Sequence, residues 1–223
     1  MLVYIVNYLL ITVCIIAFTL PFLAWYLWRN KPEAPHSINT TLEDFFTSNQ
    51  ANWLVFCWAA TEAIVWFVIP EFLLLLVIFM RIRHKRQMLL YDIGGTAAGT
   101  IVAFVIRLPE HTLAHLPYIQ EKMIAQTRAW YDHYGIMGLA NQPFSGVPYK
   151  VFTHLAWEYR YNFFLFIIVA VVVRMFRYVV AYGLFISLYP KLHKIVRRNY
   201  LPLAAVAIAV FSVLLLKTYN VYR

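Results

Sequence analysis

Two carboxylates flank a helix breaker inside an apolar run. Between Trp53 and Met80 the chain is hydrophobic enough to enter a membrane, yet it carries Glu62, Pro70 and Glu71. A carboxylate at bilayer depth costs about 2.5–3.5 kcal/mol on insertion scales, so such groups mark ion pathways, proton relays or internal pairs. On one continuous helix Glu62 and Glu71 would point about 180° apart. A break at Pro70 removes that constraint and lets both face one cavity. One reading is a proton- or cation-linked carboxylate pair; the other is that each carboxylate pairs with an internal arginine to hold a helix bundle.

Arg174 and Arg177 supply the complementary charge. They stand three residues apart in a long apolar segment and share a helix face. Arg174 lies near the middle, too deep to snorkel easily, whereas Arg177 can reach part of the way out. Guanidinium groups suit bidentate phosphate recognition, and they equally suit an ion pair with Glu62 or Glu71. Lys150 follows Pro148 in a second broken stretch, where it is either a headgroup-phosphate contact or an interfacial lysine. Asp92 opens a glycine-rich segment just past a basic cluster and reads as interfacial. His111 and His115 have the spacing of two metal ligands on a helix, but no third ligand accompanies them. There is no HExxH, P-loop, GxSxG or CxxC. We therefore expect no metal, no cofactor and no enzyme activity.

These groups are positioned by a membrane chain. Of 223 residues, 62% are hydrophobic and 13% charged, against about 25% charged in soluble domains. The formal net charge of +9 sits in short clusters beside apolar segments. That placement points to membrane orientation and anionic headgroups rather than nucleic acid. Cys14 and Cys57 both fall in apolar segments and read as packing residues, not a disulfide.

Spanning segments are expected at 2–28, 88–106, 161–188 and 201–216. The first is closed by Trp25, Tyr26 and Trp28 as an interfacial belt, and Pro21 is expected to kink it. A short surface helix capped at Thr40 or Thr41 leads to Phe45 and Phe46. Segment 88–106 carries Gly94, Gly95, Ala97, Ala98 and Gly99, a small-residue face open to close helix packing. In 107–135, Met123, Ile124, Thr127, Trp130, Tyr131 and Tyr134 recur at helical spacing, as in an amphipathic helix on a membrane surface. Within 136–157, Pro143, Gly146 and Pro148 exclude an ordinary spanning helix.

Charge placement bears on topology. If the basic clusters at 29–31, 81–86 and 191–198 all face the cytoplasm, then 53–80 and 136–157 must each return to the side they entered. We thus expect an all-α polytopic protein with two opposed re-entrant helical hairpins and about four spanning helices. Its parts would be an N-terminal helix (1–31), a core (32–198) and a C-terminal helix (199–223). Broken helices that meet near the midplane are a common way to build a transport site.

The landmarks resemble the DedA family, also called the VTT or SNARE-associated family, and its YqaA-like branch in particular. The carrying residues are Glu62, the break Ile69-Pro70-Glu71, the cluster Gly94-Gly95-Thr96-Ala97-Ala98-Gly99, and the stretch Pro143-Phe144-Ser145-Gly146-Val147-Pro148-Tyr149-Lys150-Val151-Phe152. Arg174-Met175-Phe176-Arg177 follow at a suitable distance. The resemblance covers about residues 50–190. It implies opposed re-entrant hairpins and flippase or scramblase activity toward an anionic phospholipid or polyprenyl phosphate, coupled to protons or sodium. It also implies a bacterial inner membrane location. Acids of the first hairpin and arginines of the second are the family's essential residues. Glu62 matches the first acid and Glu71 the second loosely, while the arginine positions fall here on Gln142 and Pro148. Lys150, Arg174 and Arg177 are the available substitutes. A small-ion or proton antiporter and a non-transporting scaffold remain alternatives, and a homo-oligomer stays open.

Overall fold

The computed structural model describes residues 2–30, 38–69 and 85–223, and its regular elements are all helical. They are α1 (Leu2–Asn30), α2 (Ile38–Thr47), α3 (Asn49–Ile64), α4 (Lys85–Ile106), α5 (Glu110–Ala114) and α6 (Glu121–Tyr134). A 3₁₀ turn (Gly135–Asn141) then leads into α7 (Gln142–Ser145), α8 (Tyr149–Leu155), α9 (Phe163–Arg198) and α10 (Tyr200–Tyr222). Among the described residues four helices are long and apolar enough to cross a membrane: α1, α4, α9 and α10. On α1, α9 and α10 apolar side chains such as Val13, Val172 and Leu214 stand exposed, as expected of surfaces that meet lipid or another chain.

Several boundaries differ from the sequence expectation. The helix that begins the 53–80 run ends at Ile64, six residues before Pro70. The Thr61 carbonyl accepts from both the Val65 and Trp66 amides, which closes the last turn without any proline. Pro70, Glu71 and the rest of that run lie outside the described residues. At 16 residues, α3 is about 24 Å long, short of a hydrocarbon core of about 30 Å. α2 begins before Thr40, so neither Thr40 nor Thr41 caps it. α9 does not stop at Leu188 but runs through Pro190 to Arg198. There His193 stacks on Tyr189 and bonds its carbonyl at 3.1 Å, one turn back across the proline.

Close packing of α3 on α4 is the central contact, and glycine makes it work. A Cβ at Gly95 would lie 2.2 Å from the Phe56 carbonyl oxygen, and one at Gly99 would lie 2.3 Å from that of Ala60. The small-residue face of this segment is thus spent on backbone approach, as its composition implied. Asp92, one turn earlier, is fully buried within the protein.

Two apolar cores flank this pair. One gathers Ile11, Phe45, Leu54, Trp58 and Tyr178 between α1, α2, α3 and α9. The other gathers Met123, Ile124, Tyr131, Leu139 and Phe152 beneath α6. Most of the apolar stripe of α6 is therefore covered by the protein itself, with Trp130 stacked on Phe152 at 5.8 Å, while Tyr134 stays exposed. At its polar edge Arg128 pairs with Glu110 and Glu158, and the Tyr159 hydroxyl donates to Asp132 at 2.8 Å. His111 and His115 sit exposed at a corner, and no group of three metal-ligating side chains occurs among the described residues.

Candidate functional site

The second broken stretch folds as two short helices joined by a turn. α7 ends where Gly146 takes a left-handed conformation, φ 73°, and Pro148 then caps α8. A side chain at Gly146 would meet Thr218 of α10 at 2.7 Å, so the turn lies directly against the last helix.

α8 closes the end of α3. A helix terminus leaves carbonyls without partners. Lys150, Thr153 and His154 share one face of α8 and answer three of them. Lys150 Nζ donates to the Val65 carbonyl at 2.7 Å and Thr153 Oγ1 to that of Ala63 at 3.1 Å. His154 Nε2 bonds that of Ile64 at 3.0 Å. Its Nδ1 accepts from the Leu108 amide at 3.4 Å, which makes Nε2 the protonated nitrogen. Lys150 is 0% exposed. It is thus a cap within the protein and not an interfacial lysine, and cation at a helix C-terminus is the favourable arrangement.

Three residues before that cap stands Glu62. Its Oε2 lies 2.7 Å from Arg174 Nη1, and both side chains are almost fully buried. Arg174 also donates to the Tyr178 hydroxyl, from Nη2 at 2.6 Å and Nε at 3.2 Å, and lies over the Tyr149 ring at 4.4 Å. The hydroxyls continue the network: Tyr149 to Thr100 at 2.8 Å, and Tyr178 to Thr96 at 3.3 Å. Thr96 and Thr100 flank Gly95 and Gly99 on α4, so the close helix approach and the polar cluster have one origin. Of the pairings left open by the sequence, the structure shows Arg174 with Glu62.

Arg177, one turn further on, is only partly buried and borders a cavity of about 330 Å³. Its wall includes Glu62, Trp66, Phe67 and Ile69 from the first broken element. Gln142, Pro143, Gly146, Pro148 and Tyr149 come from the second, and Phe211, Leu214, Leu215 and Thr218 from α10. Of the residues singled out from sequence, Glu62, Arg177, Pro143, Gly146 and Pro148 meet here, while Arg174 and Lys150 stand behind the wall. Trp66 and the face of α10 were not anticipated as site residues, whereas Gln142 stands at one of the positions that the resemblance gives to an arginine. The hydroxyl partners were partly legible, since Tyr178 follows Arg174 by four and Thr100 follows Thr96 by four.

Among the described residues, fold and site together define an all-helical protein with four helices long and apolar enough to cross a membrane and a cavity lined by residues of α3's end, the 142–149 stretch and α10. No family model, curated protein or solved structure matches the chain.

Proposed function

We propose that this is a membrane transporter that moves a phosphate-bearing lipid, with the headgroup carried in the cavity between the broken elements. The observation that supports this most is the wall itself, which joins a partly buried arginine and a carboxylate to Phe67, Ile69, Phe211, Leu214 and Leu215. A lipid presents the same division, a charged head on apolar chains. The volume sits at the small end of ligand pockets, which fits a headgroup whose chains stay outside. Arg177 supplies charge to the phosphate; Arg174 is held by Glu62 and Tyr178 and shapes the wall. The short α3 and the 142–148 turn are consistent with re-entrant elements, because irregular backbone at membrane depth is tolerated where it is buried or lines a cavity.

A second reading, a proton or cation antiporter, is favoured by one fact. Glu62 both lines the cavity and holds a buried arginine, so its charge state and the cavity's shape are linked. Purified protein in liposomes separates the two. Translocation of a fluorescent phosphatidyl lipid that is lost in Arg177→Gln supports lipid movement. Ion flux without any lipid movement would sink it in favour of the antiporter.

A further inference from the structure

The exposed residues of the cavity wall mark where its mouth lies. Gly146 of the 142–148 turn and Leu214 of α10 both line the cavity and both reach the outer surface, Leu214 with 56% of its area exposed. One turn further along α10 the gap is closed. Thr218 leaves no room for a side chain at Gly146, and the Tyr222 hydroxyl donates to the Ser145 carbonyl at 2.8 Å. Glu62 and Tyr149 close another side, since both line the cavity and both are buried.

The rim beside this mouth is apolar and faces outward. Phe144 is 79% exposed and Phe176, next to Arg177, is 57% exposed; their ring centroids lie 6.5 Å apart. One turn away on the same helix faces, Val172 and Val180 of α9 and Val210 of α10 are exposed as well. Phe176 and Leu214 belong to two of the helices long and apolar enough to cross a membrane. A continuous outward apolar surface is costly against water, at about 25 cal/mol per Å², and comfortable against acyl chains. We propose that the cavity opens sideways into the bilayer, between α9 and α10, and that a membrane lipid enters there with its headgroup toward Arg177 and its chains left along Phe176 and Leu214. A lipid is the occupant, and not a soluble phosphate, because the way to the arginine crosses lipid-facing surface. The inference rests on the reading of the cavity as a headgroup site and adds the route by which it fills.

The test places the photoreactive residue benzoylphenylalanine at Leu214, or at Val206, which is exposed on α10 but outside the cavity wall. Purified full-length protein is irradiated in vesicles of dioleoyl phosphatidylcholine with dioleoyl phosphatidylglycerol as the minor lipid, and the adducts are weighed by intact mass spectrometry. At Leu214 the adducts should be enriched about tenfold in phosphatidylglycerol over the vesicle composition, as one charge-assisted contact predicts. At Val206 they should follow the vesicle composition. Arg177→Gln should remove the enrichment at Leu214 while lipid adducts still form there. Leu214→Trp should slow lipid translocation by narrowing the mouth, and Val206→Trp, which adds the same bulk elsewhere, should not. Absence of lipid adducts at Leu214, or the same composition at both positions, would overturn the sideways entry. So would loss of the enrichment when soluble glycerophosphoglycerol is added, which assigns the site to a phosphate that arrives from water. Enrichment at Leu214 without translocation removes the transport reading and leaves the portal standing. Translocation that is untouched by Leu214→Trp, with no enrichment at Leu214, removes the portal and leaves the transport reading standing.

Discussion

Glu62 and Arg174, 112 residues apart in the chain, meet at 2.7 Å with both side chains almost fully buried. Each charge is tolerated there because of the other, and the Tyr178 hydroxyl accepts two further guanidinium hydrogens. Breaking a buried pair from one side strands a charge at a cost of about 3–5 kcal/mol, whereas replacing both by apolar groups can be neutral. Glu62→Leu and Arg174→Met should each destabilise the protein by about that amount. The double variant should recover most of it, as read by thermal unfolding in detergent. Additive losses would contradict the pairing.

Arg177 should behave differently from Arg174. It borders the cavity and is only partly buried, so Arg177→Gln should lower the unfolding temperature less than Arg174→Gln, which strands a buried carboxylate. Lipid translocation should nevertheless fall about tenfold or more, the loss of one charge-assisted contact of 1.5–3 kcal/mol. Arg174→Gln should lose stability and transport together.

Glycine substitutions should divide by what surrounds them. Gly95→Ala and Gly99→Ala place a Cβ 2.2 and 2.3 Å from carbonyl oxygens of α3, so α3 and α4 must separate. Each should cost about 1–3 kcal/mol. Gly183→Ala has nothing within 4 Å on α9 and should stabilise by up to about 1 kcal/mol, as a helix-interior glycine replaced by alanine does. Unfolding temperatures of the three variants check the contrast.

Capping by α8 should protect the end of α3. Lys150→Met leaves the Val65 carbonyl without its donor, at about 1–3 kcal/mol. Hydrogen exchange at the amides of 65–69 should quicken while exchange in α9 stays as it was. Unchanged exchange at 65–69 would show that Lys150 does not hold this end.

Outside the spanning helices, Tyr159 reports on the polar edge of α6. Burial, and then the hydrogen bond to Asp132, push its phenol up to about 12. The folded state keeps the proton where the unfolded chain, near 10, releases it. This contribution to stability is present below pH 10 and is lost as pH rises from 10 to 12. Spectrophotometric titration should show a tyrosine ionising near pH 12 that disappears in Tyr159→Phe.

Residue types and periods determined the class of this protein. Long apolar runs with few charges must form helices in a lipid setting, because every backbone amide then bonds within its own segment. Among the described residues four such helices are present, and the glycine spacing on α4 foretold its close approach to a neighbour. Same-helix neighbours were equally legible, since a period of 3.6 places residues three and four apart on one face. Only the tertiary structure decided which carboxylate faces which arginine, and that Lys150 caps α3 from inside. It also placed Gln142 and Trp66 at a cavity completed by α10. Those are relations between segments tens of residues apart. Local sequence carries the hydrophobic period of each helix, but the partner that answers a buried charge or carbonyl is set by how the helices pack.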